Sequence, residues 1–132
     1  MSDENTRSKG VLLKIEDLME YADPIITKFP GPERGYSGMM TVLRASMQGM
    51  ANHAMDAQKS YYAKSTLKEL SGLDKALEHT RFYVKHSMKM KLLSLKQYGV
   101  MNDYLDEIGR MTGGWIKAIM GSEKKTAPKN KR

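Results

Sequence analysis

The chain contains no cysteine, which excludes a disulfide framework, a thiolate zinc centre and a cysteine nucleophile, and permits a reducing compartment. Aromatic residues make up only 8% of it, whereas methionine is abundant at 12 copies, which points to a core filled by flexible, unbranched side chains. No run approaches the roughly 20 apolar residues that a bilayer span requires, so no membrane anchor is expected. The opening residues MSDENTRSKG are polar and acidic, unlike a secretory leader. Alternating apolar and polar residues are absent, so no strand is expected. Neither a Ser/His/Asp order nor a P-loop occurs, and GPERG and MTGGW lack the lysine and the preceding strand of a phosphate-cradling loop. What remains is 132 residues, 40% apolar and 28% charged, enough for one globular domain.

The apolar residues recur at steps of three and four, the period of a helix face. A first stripe holds Val11, Leu12, Ile15, Leu18, Met19, Ala22, Ile25, Ile26 and Phe29. Pro24 interrupts it, and its missing N–H predicts a kink, or a fresh turn capped by Asp23. FPGPERG then closes the helix. A second helix is predicted over 36–57, with Met39, Met40, Leu43, Met47, Met50 and Ala54 inward. The third carries Leu67, Leu70, Leu73, Leu77, Val84, Met88, Leu92 and Leu95 and is predicted to end near Ser94. The fourth starts near Lys96 and carries Tyr98, Met101, Leu105, Ile108, Thr112, Trp115 and Ile119 up to Gly121. Four amphipathic helices on short connections predict an all-α fold, an antiparallel four-helix bundle over 9–120. Residues 1–8 and the basic tail 121–132 lack hydrophobic period and are expected to be flexible.

Charge is unevenly placed. The chain is formally +7. Between residues 75 and 96, six bases (Lys75, Arg81, Lys85, Lys89, Lys91, Lys96) face one acid, Glu78. The tail adds Lys124, Lys125, Lys129, Lys131 and Arg132 against Glu123. Such concentration points to a polyanionic partner, nucleic acid or an anionic membrane, the alternative being a merely solvated face. Arg81, Lys85 and Lys89 read as a cationic row at i, i+4 and i+8, flanked by Lys75, His79 and His86 and interleaved with Phe82 and Tyr83. An unneutralised row of this kind suits phosphate-backbone contact, with aromatic rings available to stack on unpaired bases.

Two further patterns carry chemistry. His53, His79 and His86 are the only histidines and lack carboxylates at metal-ligand spacing, so no metal and no other cofactor is expected. Arg81 and His86 have the Arg-x4-His spacing that resembles the signature of helical HEPN ribonucleases, with a guanidinium for phosphate charge and an imidazole for proton transfer. Phe82 departs from that family's usual polar residue. In DEIGRMTGGWIK, Gly109, Gly113 and Gly114 each cost a helix interior about 1 kcal/mol relative to alanine, so close packing around them and Trp115, within the bundle or between subunits, is expected. Arg110 and Lys117, seven apart, would extend a basic surface. The Met-rich second helix also suits a lipid or partner surface.

DEIGRMTGGWIK, preceded by LLSLKQYGVMNDYL, resembles the C-terminal signature of the accessory variability determinant (Avd) proteins of diversity-generating retroelements. YADPIITKFPGPERG is similar to that family's first-helix proline and phenylalanine-proline turn, and ALEHTRFYVKHSMKM to its third helix. The resemblance spans about residues 11–120. It implies a non-catalytic, four-helix protomer in a homopentameric barrel, found in the cytoplasm of a bacterium or encoded by a phage. It also implies that the protein helps an error-prone reverse transcriptase engage template RNA, or DNA, for mutagenic cDNA synthesis. By resemblance, Arg81, Lys85 and Arg110 are RNA-contacting, whereas Lys75, Lys89, Lys91 and the tail rest on charge alone. Thr112 stands where the family has a larger apolar residue. The related ribosomal intervening-sequence proteins are the nearest alternative.

Overall fold

A computed structural model describes the backbone of residues 2–130 and the side chains of 7–121; the side chains of the tail's Lys124–Arg132 lie outside this range. Four helices follow one another, α1 (Ser2–Ile26), α2 (Met39–Lys59), α3 (Ala63–Lys89) and α4 (Leu95–Asn130), with a 3-10 turn at Gly31–Arg34. No strand occurs among the described residues. Each helix packs on its neighbours in a ring, α1 on α2, α2 on α3, α3 on α4 and α4 on α1. Cross-helix contacts show that the neighbours are antiparallel. Asp23 meets Arg44 while Ser8 meets Gln58, and Ser46 meets Thr80 while His53 meets Glu69. On the other side, Arg81 meets Asp106, and Gly10 and Gly114 face Met111 and Arg7.

The core follows a heptad pattern. Buried positions fall at 11, 15, 18, 22 and 26; 43, 47, 50, 54 and 57; 66, 70, 73, 77, 80, 84 and 87; and 101, 105, 108, 112, 115 and 119. Alternating steps of three and four keep a seam facing the bundle axis. Leucine, isoleucine and methionine fill most of it, and Trp115 is 1% exposed. Ser87 and Thr112 also lie in this seam, and their hydroxyls, like the Trp115 indole N–H, have no hydrogen-bond partner among the described residues.

Helix ends differ from expectation where local chemistry takes over. Pro24 lies inside α1, in its last turn, where its missing N–H leaves the Glu20 carbonyl without a helical donor; the helix continues only to Ile26, three residues short of buried Phe29. Thr27 donates its N–H and hydroxyl to the Asp23 carbonyl. In the turn that follows, the Glu33 carboxylate accepts the Met39 N–H at 2.9 Å and caps α2. Gly38 is buried where a Cβ would collide with the Glu33 backbone.

The third helix stops at Lys89, before the expected Ser94. Lys91 adopts the left-handed conformation (φ 66°), with Lys91 N–H on the Met88 carbonyl and Leu92 N–H on the Ser87 carbonyl. This is a Schellman ending with lysine where glycine is usual. The reversal shifts the apolar register, so that Leu93 is buried and Leu95, expected inward, is 75% exposed. A capping box opens α4. Ser94 Oγ accepts the Gln97 N–H at 3.0 Å, and the Gln97 side-chain carbonyl accepts the Ser94 N–H at 2.9 Å.

Candidate nucleic-acid interface

The side of α3 opposite the core carries Lys75, His79, Phe82, His86 and Lys89, all exposed. Their steps of four, three, four and three match those of the core seam, so the five line up along the helix. Phe82, 63% exposed, stacks parallel on His86 at 6.2 Å, its edge against Tyr83 at 5.2 Å. Lys85 is exposed beside this stripe. Among the described residues, no carboxylate lies within salt-bridge distance of Lys75, Lys85 or Lys89.

Arg81 corrects the expected row of unneutralised cations. A step of four residues advances the helix face by about 40°, so Arg81, Lys85 and Lys89 diverge by about 80°. Arg81 turns toward α4, donating to the Asp106 carboxylate at 2.6 Å and the Leu105 carbonyl at 3.3 Å, with Glu78 at 3.6 Å. Its guanidinium lies over Gly109, where a Cβ would stand 3.1 Å from Nη2. Arg110 is likewise engaged, by Glu107 at 2.9 Å. Free positive charge therefore sits on the lysines.

Lys91 projects from the turn between α3 and α4. With Lys28 it lines a cleft of about 300 Å³ at the end of the bundle, closed by Phe29, Pro30, Leu92 and Gln97. Only the antiparallel topology brings Lys28 there, so the sequence carries no signal for it. The heptad spacing that aligns Lys75, His79, Phe82, His86 and Lys89 is visible in the sequence, where Lys75, His79 and His86 are expected to flank the row and Phe82 to interleave with it.

The glycines of α4 separate by role. Gly109 admits Arg81 and Leu77, and Gly114 faces Arg7 at 3.2 Å, whereas a Cβ at Gly113 would meet nothing within 4 Å. Close packing within the protomer thus explains two of the three.

The Arg-x4-His pair does not form a site. Positions five apart on a helix are about 140° apart around its axis, and Arg81 is held on Asp106 while His86 stacks on Phe82. His53 lies in the seam between α2 and α3, its ring against Gly72 and its Nδ1 3.0 Å from Glu69. Among the described residues, no group of three His, Cys, Asp or Glu is placed to hold a metal, and no helix is long and apolar enough to cross a membrane.

No curated protein matches this sequence. The family model described as bAvd-like, in contrast, aligns with residues 11–119, a span that takes in all four packed helices, the Phe29–Gly35 turn and the glycine-tryptophan stretch of α4. An Avd-type bundle with an outward cationic stripe on its third helix is what the residues build, and by that match the chain belongs to the bAvd-like family.

Proposed function

We propose that this protein is the non-catalytic accessory subunit of a diversity-generating retroelement, assembling as a ring of five copies that binds template RNA and the reverse transcriptase to support mutagenic cDNA synthesis. The observation that carries the nucleic-acid half is the stripe Lys75–His79–Phe82–His86–Lys89 with Lys85 beside it, cationic and without facing carboxylates among the described residues. Each lysine contributes little alone in water, so affinity comes from counterion release multiplied over several copies. Phe82 adds an exposed ring on which an unpaired base stacks. Backbone contacts of this type hold RNA with little regard to its sequence. The test is binding of a single-stranded RNA oligonucleotide across a salt series, for the wild type and for Lys75→Ala/Lys85→Ala/Lys89→Ala. Loss of three phosphate contacts per protomer lowers the magnitude of the log K against log salt slope by about 2 for each protomer that the strand engages. A slope identical to that of the wild type removes the stripe from the interface. Mass measurement in solution tests the ring, and co-purification with the retroelement's reverse transcriptase tests the partner.

A further inference from the structure

The helix diagonally across the bundle from the basic stripe has the opposite character. On α1, Glu16 and Glu20 are exposed, one turn apart, and no cation lies within salt-bridge distance of either among the described residues. The other described carboxylates of α1 are compensated, Asp17 by Lys14 at 3.8 Å and Asp23 by Arg44 at 2.6 Å. Glu16 and Glu20 rim a groove of about 740 Å³ between α1 and α2. Apolar side chains line it, among them Leu12, Leu13 and Met19 from α1 and Ala51 and Met55 from α2. Leu13 is 62% and Met55 44% exposed, so large side chains face water in a place where the small Ala51 leaves room between the helices.

We propose that this groove docks a cationic amphipathic helix of a partner protein, with its apolar stripe between α1 and α2 and its lysines or arginines over Glu16 and Glu20. Charge complementarity selects the occupant. The unpaired carboxylates repel the phosphates of RNA and the headgroups of anionic lipid, and they attract a basic helix. The lining runs from Leu12 to Pro24, about 18 Å of helix, which matches roughly three turns of a docked helix anchored at i, i+3 or i+4, and i+7. A second copy of this chain that presented its α3 stripe here would make those lysines unavailable to RNA, and solution mass tests any second copy. The inference stands apart from the RNA reading, since the two surfaces lie on different helices.

The probe is the fluorescein-labelled peptide LKKLLKLLKKLLKL, with LEELLELLEELLEL as its acidic counterpart, titrated with the full chain and read by anisotropy. Because the chain is formally +7, general electrostatic attraction works against the basic peptide, and its binding reports the local carboxylates. The basic peptide is expected to bind saturably at Glu16 and Glu20, whereas any binding of the acidic peptide falls on the α3 lysines and should not change when Glu16 and Glu20 are replaced. Glu16→Gln/Glu20→Gln should weaken binding about tenfold, and Leu13→Gln should also weaken it. All these positions are exposed, so the variants keep the fold, and their RNA salt slopes should match the wild type. The proposal is overturned if the basic peptide does not bind, or if the glutamine variant binds it as the wild type does. A fall in solution mass caused by the same substitutions would assign the groove to a second copy and overturn it equally.

Discussion

Arg81 and Lys85 are four residues apart on one helix, yet removing them should have opposite consequences. Arg81→Ala deletes an ion pair to Asp106, a hydrogen bond to the Leu105 carbonyl and the stem that covers Gly109. The Asp106 side chain is 55% exposed, so the pair is discounted to about 0.5 kcal/mol. The carboxylate left behind resolvates and adds no penalty. The long bond to Leu105 contributes about 0.5 kcal/mol, and loss of stem packing a similar amount. The sum, about 1.5 kcal/mol, lowers the melting temperature by about 5 °C for a chain of this size. Thermal unfolding by circular dichroism reads it, and RNA binding across salt should keep its slope. Lys85→Ala should do the reverse, leaving the melting temperature within a degree and lowering the slope by about 0.7 for each protomer that the strand engages. An Arg81→Ala protein of unchanged melting temperature and flattened slope would refute the assignment of Arg81 as a strut.

Four other substitutions probe the frame that holds these surfaces. Gly38→Ala places a Cβ into the Glu33 backbone, so the junction before α2 must shift at a cost of about 2 kcal/mol, seen as a lowered urea midpoint. Gly113→Ala should stabilise by about 0.5–1 kcal/mol because its Cβ meets nothing within 4 Å. In the same denaturation assay Gly109→Ala should gain less or lose, since it presses on Arg81 and Leu77. Lys91→Gly relieves a left-handed lysine, φ 66°, and should stabilise the fold by about 0.5–1 kcal/mol, read as a higher urea midpoint.

The helices and most of the inward face of each were legible in the chain, because spacing by threes and fours is a local property that the buried helix positions from Val11 to Ile119 obey, whereas buried Phe29, Gly38 and Leu93 at the connections fall outside it. The basic character of α3 was equally plain, being composition within a short span. So was a signal left unused, the Ser94–Gln97 capping box, which needs only residues three apart. Tertiary structure decided which charges are free. Arg81 finds Asp106 at a separation of 25 residues, and no spacing rule on α3 reveals a carboxylate presented by α4. The same holds for Lys28 beside Lys91, for the roles of Gly109 and Gly113, and for the groove rimmed by Glu16 and Glu20. Periodicity turns each helix toward the axis, but the partner across each seam is set by antiparallel packing, and that partner determines whether a charged side chain is a strut or a ligand-facing contact.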